Sequence, residues 1–197
     1  MRCEMALFPC DWPVAVLALV LLGLSAVGAA AGVGGGNAGP PALRVTSPAF
    51  SNGSSIPDRH ACGGANVSPQ LDWSDPPQGA KSFALVVSDP DAQAVAGYTW
   101  LHWIVYGLPP ELRGLPEAFE SRSASVPGVR FGKTHFGNTC YGGPCPPRGP
   151  AHRYYFTLYA VDVMPDLKDG ATADALMAAI KGHVLAEGEL AGTYARR

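Results

Sequence analysis

Charge is scarce in this chain: Asp, Glu, Lys and Arg make up only 15% of its 197 residues. The 14 Lys and Arg are offset by 16 Asp and Glu, and no long basic run occurs. That balance excludes a nucleic-acid footprint and a broad patch for an anionic membrane surface. Neither an HExxH segment nor a nucleophile elbow is present, so two common hydrolase signatures are missing. No internal repeat is visible, which excludes a solenoid. What the chain does have is Gly (24) and Pro (19) in a background that is 47% hydrophobic. Such a mixture is too apolar for disorder and fits short strands joined by many turns better than a helical bundle.

The first segment reads as targeting information. Arg2 opens a thin positive region, offset by Glu4 and Asp11, and Val14 to Leu24 is an apolar run of signal-peptide length. Small residues follow, and cleavage after Gly28, Ala29 or Ala31 satisfies the small-x-small pattern. Residues 1–28 are therefore expected to be a signal peptide, with cleavage between 28 and 31, and the chain to be secreted or held in the secretory lumen. An uncleaved anchor is the alternative, because the stretch from Val14 to Ala31 just reaches bilayer-spanning length. Residues 29–41 are Gly/Pro-rich and read as a flexible linker, and residues 42–197 as one domain.

Cys3 and Cys10 leave with the signal on this reading, so the mature chain keeps Cys62, Cys140 and Cys145, an odd number in an oxidising compartment. Two sequons, at Asn52 and Asn66, are candidate glycosylation sites.

Within the domain, Leu43 to Thr46 reads as a short strand. Ser82 to Ser88 is a strand-length apolar run, stopped at Asp89-Pro90-Asp91 because Pro90 has no N–H for a ladder. Tyr98 to Tyr106 and His152 to Val161, rich in aromatic and β-branched residues, read as central strands. Phe131 to Pro150 is dense in Gly and Pro and too long for a hairpin, the length at which a loop usually carries function. Thr172 is a candidate N-cap for a helix over 173–186, with Leu176, Ala179, Ile180, His183 and Val184 on one face. Gly188 is expected to stop it, and Leu190 to Tyr194 to form a last edge strand.

Strand alternation puts His152, Tyr154, Phe156 and Leu158 on one face, and His102 with Ile104 and Tyr106 on one face. Polar groups thus stand at the starts of two strands and, as Asp89 and Asp91, at the end of a third. Imidazole N–H groups, a Tyr hydroxyl and backbone N–H groups at Gly142-Gly143 are all donors suited to an anion, and a carboxylate would orient a neighbouring His. Each signal alone has a plainer reading: Asp-Pro-Asp as a turn, His102 as a core histidine, His183 as helix packing, and His60 and His135 as loop residues.

The motifs taken in order are more specific. Asp89-Pro90-Asp91-Ala92, Trp100-Leu101-His102-Trp103, Tyr141-Gly142-Gly143-Pro144-Cys145-Pro146-Pro147 and His152-Arg153-Tyr154 resemble the signature of the phosphatidylethanolamine-binding family. The resemblance is nearest to its prokaryotic Raf-kinase-inhibitor-like branch, and extends from about Leu43 to Arg196. It implies a mostly β protein, a β-sandwich with a large central sheet, a smaller sheet and a C-terminal helix. It also implies a small pocket for phosphate or phosphorylated head groups, with Asp89 as the pocket carboxylate and Asp91 behind it. His102, His152 and Tyr154 would be the side-chain donors, and Gly142, Gly143 and Pro146 the wall. Gln93 stands where much of the family has Pro. Cys62 and Cys145 fall in pocket-adjacent segments, which favours a bridge between them with Cys140 left over; Cys140–Cys145 is the alternative.

The function expected is that of a non-enzymatic binding or regulatory protein without cofactor or metal. Its partner would be a phosphate-like anion and, as family members can have, a protease or kinase. The competing readings are a hydrolase built on the Asp/His cluster, with or without zinc, and an interaction scaffold with a vestigial pocket.

Overall fold

The structure, a computed structural model, describes residues 42–121 and 123–196. The predicted signal peptide, Cys3, Cys10 and the linker through residue 41 lie outside the described residues.

Five antiparallel strands form the large sheet, in the order β6 (Arg130–Phe131), β4 (Trp100–Leu108), β3 (Ser82–Asp89), β7 (His152–Val161) and β8 (Val184–Tyr194). The small sheet is β1 (Val45–Thr46), β2 (Leu71–Trp73) and β5 (Gly114–Leu115), also antiparallel. Period-two alternation sorts the large sheet's side chains between two cores. Phe83, Leu85, Val87, Trp103, Val105, Phe156 and Leu158 pack with Leu71, Trp73 and Leu115 of the small sheet. On the other face, Ala84, Ile104, Tyr106 and Val161 pack with Leu176 and Ile180 of α2 (Ala173–Ile180), the helix that follows the single turn α1 (Gln93–Ala96). The mostly β two-sheet architecture expected above is what the chain adopts.

Two irregularities in the β3–β4 ladder matter. Tyr106 and Leu108 pair with adjacent β3 residues, which leaves Gly107 as an extra residue with φ +68°. A side chain there would also strike the carbonyl of Gly128, so glycine is required. Val87 pairs with Trp103 but Ser88 with Leu101, so His102 is likewise an extra residue, a β-bulge.

The C-terminal region departs from expectation. Thr172 caps α2 as expected, its hydroxyl accepting from the Ala175 N–H at 3.2 Å, but the helix ends at Ile180 rather than Ala186. Gly182, at φ +79°, turns the chain, and Val184 and Ala186 join β8 against Val161 and Ala160. A full ladder with β7 outweighs the local helical period, since it satisfies backbone groups that a helix end would leave open. Gly188 stops nothing: it lies within β8, where a Cβ would meet the backbone of Leu43. His183 is therefore on no helix face, and its Nδ1 pairs with Asp162 at 2.7 Å.

β8 is an edge strand, but a covered one. Leu43 and Ile56 donate N–H groups to the Glu187 and Thr193 carbonyls, and Thr193 N–H returns to Ser54 O. The Asn52 side-chain oxygen accepts from Ala191 N–H at 2.9 Å. Such cover removes the open row of donors and acceptors that invites edge-to-edge pairing.

Candidate functional site

The polar ends of β3, β4 and β7 meet at one end of the large sheet. β3 stops at Asp89, and the buried carboxylate takes two donors: Ala92 N–H on Oδ1 at 3.0 Å and the His152 Nδ1–H on Oδ2 at 2.8 Å. His152 opens β7, and Tyr154, two residues on, shares its face.

His102 reaches the same place by way of the bulge. Regular alternation puts it with Ile104 and Tyr106 on the α2 side, as the sequence reading expected. The extra residue instead turns it to the face of Val87 and Trp103, where its ring lies 5.1 Å from that of Tyr154 and 5.4 Å from that of Phe136. Asp89, His102, His152 and Tyr154, spread over 66 residues of sequence, thus form one buried cluster.

Its hydrogen-bonding state differs from the donor-rich picture drawn from sequence. His102 Nδ1 is 2.6 Å from the Gly142 carbonyl, which can only accept, so the proton is on Nδ1 and Nε2 keeps its lone pair while the ring is neutral. Burial pushes the His102 imidazole down to about 4, against the opposing pull of that carbonyl and of Asp89. The backbone donors are also committed: Gly142 N–H binds His102 O at 2.9 Å, and Gly143 N–H binds the Asn66 side-chain oxygen at 2.7 Å. The N–H groups of Gly142 and Gly143 themselves are therefore not free, because the loop uses them to hold itself. By contrast the Tyr154 hydroxyl is fully buried and closes no hydrogen bond of good geometry, the Asp89 carboxylate lying near it. Burial first, then the nearby Asp89 charge, raise its pKa well above the usual phenol value, so it stays protonated.

Asp91 does not share the crevice. It accepts from Arg153 three times, from the backbone N–H at 2.9 Å, Nε at 2.9 Å and a terminal nitrogen at 2.6 Å. The side-chain hydrogen bonds from Arg153 hold its carboxyl down at about 2. This fork ties the chain after β3 to the residue following His152, and so positions the imidazole.

The loop wall is built for close approach. A Cβ on Gly142 would enter the Phe136 ring, and one on Gly143 would enter the His60 carbonyl and crowd Asn66 Oδ1 at 2.8 Å. Pro146 is buried in the same loop and has no N–H to offer. Cys145 is bonded to Cys62, S–S 2.06 Å, and the Cys62 N–H binds Pro144 O at 3.1 Å, which anchors the loop to the 57–67 segment. The Cys62–Cys145 pairing holds.

Three supports had no signal in sequence. Glu120, half-buried and with its pKa raised by desolvation, accepts from Tyr141 N–H at 3.0 Å and Ser68 Oγ at 3.1 Å. Asn66 holds Gly143, and Phe136 packs on His102. Each acts across long sequence separation, so no local spacing reveals it. His60 is buried rather than a plain loop residue, its Nδ1–H donating to Val67 O at 2.9 Å. His135 accepts from Leu101 N–H at 2.9 Å and stacks edge-on to Tyr98 and Trp100. A cleft of about 480 Å³ opens beside Tyr98, Leu101, Lys133, His135 and Thr172, and none of the four crevice residues lines it.

Chemically, the cluster combines a buried hydroxyl that closes no hydrogen bond with two imidazoles whose Nδ1 positions are engaged. Asp89–His152 is also the orienting pair of a general base, but among the described residues no hydroxyl or thiol is hydrogen-bonded to that His. Also among them, no group of three or more His, Cys, Asp or Glu is placed to hold a metal.

Two antiparallel sheets with a buried Asp–His–Tyr cluster at the strand ends define the class, a mostly β two-sheet protein. The sequence matches the profile of the phosphatidylethanolamine-binding protein family over residues 46–195. A UPF0098 protein of Methanothermobacter thermautotrophicus is 40% identical over 154 residues, covering 78% of this chain and 99% of that protein. The crystal structure of a phosphatidylethanolamine-binding protein homologue from Chlamydia trachomatis, CT736, superposes with a TM-score of 0.71 at 40% identity, covering 79% of this chain and 99% of that one. Escherichia coli YbcL, described as a member of the mammalian family of this kind, gives 0.72 at 30% identity over 79% of this chain and 99% of its own. The chain belongs to the phosphatidylethanolamine-binding protein family.

Proposed function

We propose that this protein is a secreted binding or regulatory protein whose Asp89–His102–His152–Tyr154 crevice holds a small oxyanion, phosphate or a phosphorylated head group. The observation that carries the reading is the Tyr154 hydroxyl, a buried donor that closes no hydrogen bond, on a ring 5.1 Å from that of His102 and on the same strand face as His152. A buried hydroxyl left unsatisfied costs on the order of 1–3 kcal/mol, and a ligand oxygen would recover that cost. The buried Asp89 carboxylate opposes an anion, so binding is weak. Secretion is supported by the Cys62–Cys145 bridge, which fits an oxidising compartment. An inhibitory role toward a protease or kinase would work through the same crevice, receiving a partner's carboxylate or phosphate.

The test is a phosphate titration followed by NMR of the imidazole resonances. His102 and His152 shift together and saturate on one isotherm, and Tyr154→Phe weakens the affinity about tenfold while leaving the fold intact. A titration that leaves both histidines unmoved removes the proposal. Mass spectrometry of the exported protein's N-terminus tests secretion, with cleavage expected after residue 28, 29 or 31.

A further inference from the structure

The anion reading leaves open which oxyanions the crevice distinguishes, and its donors and acceptors can be counted. Four groups that a sequence reading would name as donors are already committed: the Gly142 and Gly143 N–H groups, His102 Nδ1–H and His152 Nδ1–H. One fixed donor is left, the Tyr154 hydroxyl. With Nδ1 of His102 bound to a carbonyl, the Nε2 of that ring, 5.1 Å from the Tyr154 ring centre to centre, carries a lone pair, and neutral His152 with Nδ1 on Asp89 carries a second. The crevice thus offers lone pairs where a fully deprotonated oxyanion needs hydrogens. Resting on the anion-binding reading, we infer that the site prefers oxyanions that carry an exchangeable proton, phosphomonoesters and hydrogen phosphate, over proton-free ones such as sulfate or a phosphodiester.

The physical argument is one of complementarity. A hydrogen phosphate or phosphomonoester monoanion donates its P–OH to a neutral imidazole Nε2 and accepts from Tyr154 through another oxygen, so every group is satisfied without charging the protein. Sulfate or a phosphodiester places an oxygen against that lone pair. It binds only after an imidazole has taken a proton from water, at the cost of charging a buried ring. The groups that face His102 bear on that step. Asp89 from β3 favours the imidazolium, while His135 of the Gly/Pro loop opposes it. Tyr154 of β7 is neutral, and the Asp91 charge beyond β3 is neutralised by Arg153. Desolvation of the ring is the largest influence on His102, and it keeps the lone pair available.

Four probes decide the matter, titrated by calorimetry on the whole protein: inorganic phosphate, phosphoethanolamine, glycerophosphoethanolamine and sulfate. Glycerophosphoethanolamine is the critical control, because it carries the same phosphate centre as the monoester without an ionisable P–OH. At about pH 6, where about half of a phosphomonoester keeps its P–OH, phosphate and phosphoethanolamine are expected to bind roughly tenfold or more tighter than the diester and sulfate. As the pH falls toward about 5, sulfate and diester affinity climb steeply, because their binding takes up a proton, while the monoester changes less. His102→Gln, which replaces the lone pair with an amide able to donate, narrows the monoester-to-diester ratio toward one. Equal affinity for monoester and diester in the wild type, with no proton taken up by the diester, overturns the inference and leaves the anion-binding reading standing. Failure of all four probes to bind removes both. Because the wild-type comparison is sufficient, a poorly folding His102→Gln variant does not shield the idea.

Discussion

The chain contains two Asp–His pairs of nearly the same geometry in different surroundings. Asp89 and His152 are 2.8 Å apart with side chains 4% and 11% exposed, while Asp162 and His183 are 2.7 Å apart with side chains 43% and 47% exposed. Contact distance does not separate them. Both lie at the ends of β-strands, and both use Nδ1 of the ring. What differs is the solvent: water screens and competes for the outer pair, whereas the inner pair has replaced water with each other, Ala92 N–H and the walls of the crevice. The inner pair is therefore the one whose removal has consequences, and the one placed to act on a ligand.

The sharpest way to break this comparison is to delete each acid. Asp89→Ala leaves His152 buried without a partner and Ala92 N–H unsatisfied, and is expected to destabilise by about 3–5 kcal/mol. Asp162→Ala should change stability by less than about 0.5 kcal/mol. Equal shifts in urea midpoints would show that burial does not distinguish the pairs.

Next in size is the pH dependence contributed by His102, the other inner imidazole. Its folded value of about 4 lies below the usual 6.5, so as pH falls the unfolded chain takes up this proton first. Stability held above pH 6.5 is therefore lost progressively between about 6.5 and about 4, by on the order of 2–3 kcal/mol. Urea midpoints across that window should fall for the wild type and fall less for His102→Gln; identical slopes would place the titration elsewhere.

Gly143→Ala probes the wall of the inner site, where a Cβ enters the His60 carbonyl, and should cost about 2 kcal/mol in thermal or urea unfolding. Gly63→Ala, with no atom within 4 Å of its added Cβ, is the matched control and should stay within about 0.5 kcal/mol. The smallest effect is the most informative about purpose. Tyr154→Phe removes a hydroxyl that closes no hydrogen bond of good geometry, so stability should hold or rise by a few tenths of a kcal/mol even as ligand affinity drops. A large loss of stability would mean that the hydroxyl serves the fold through Asp89 rather than a ligand.

Much of the frame was legible along the chain. β3 and β7 follow β-branched and aromatic runs nearly to the residue, and β4 begins two residues later than its aromatic run suggested. Pro90 ends β3 because it lacks an N–H, which is a local fact. Misreadings arose where the outcome depends on partners. The 173–186 segment has a helical period, but its last three residues complete a ladder with β7. Gly188 looked like a helix stop and is a gap for Leu43. The site divides in the same way: Asp89, His102, His152 and Tyr154 were legible as a set through the ordered motifs, while the supports Glu120, Asn66 and Phe136 were not.

By itself the amino-acid order determined the bodies of β3, β4 and β7, the end of β3 at Pro90, and which polar side chains stand at those strand ends, because alternation and proline act within a few residues. Only the tertiary structure decided that His102 faces Tyr154, that the Gly142 and Gly143 amides are occupied, and that one Asp–His pair is dry and the other wet. Those outcomes hang on a bulge in the ladder and on atoms tens of residues away, and hydrogen bonds and desolvation are settled by who is near in space, not by who is next in line.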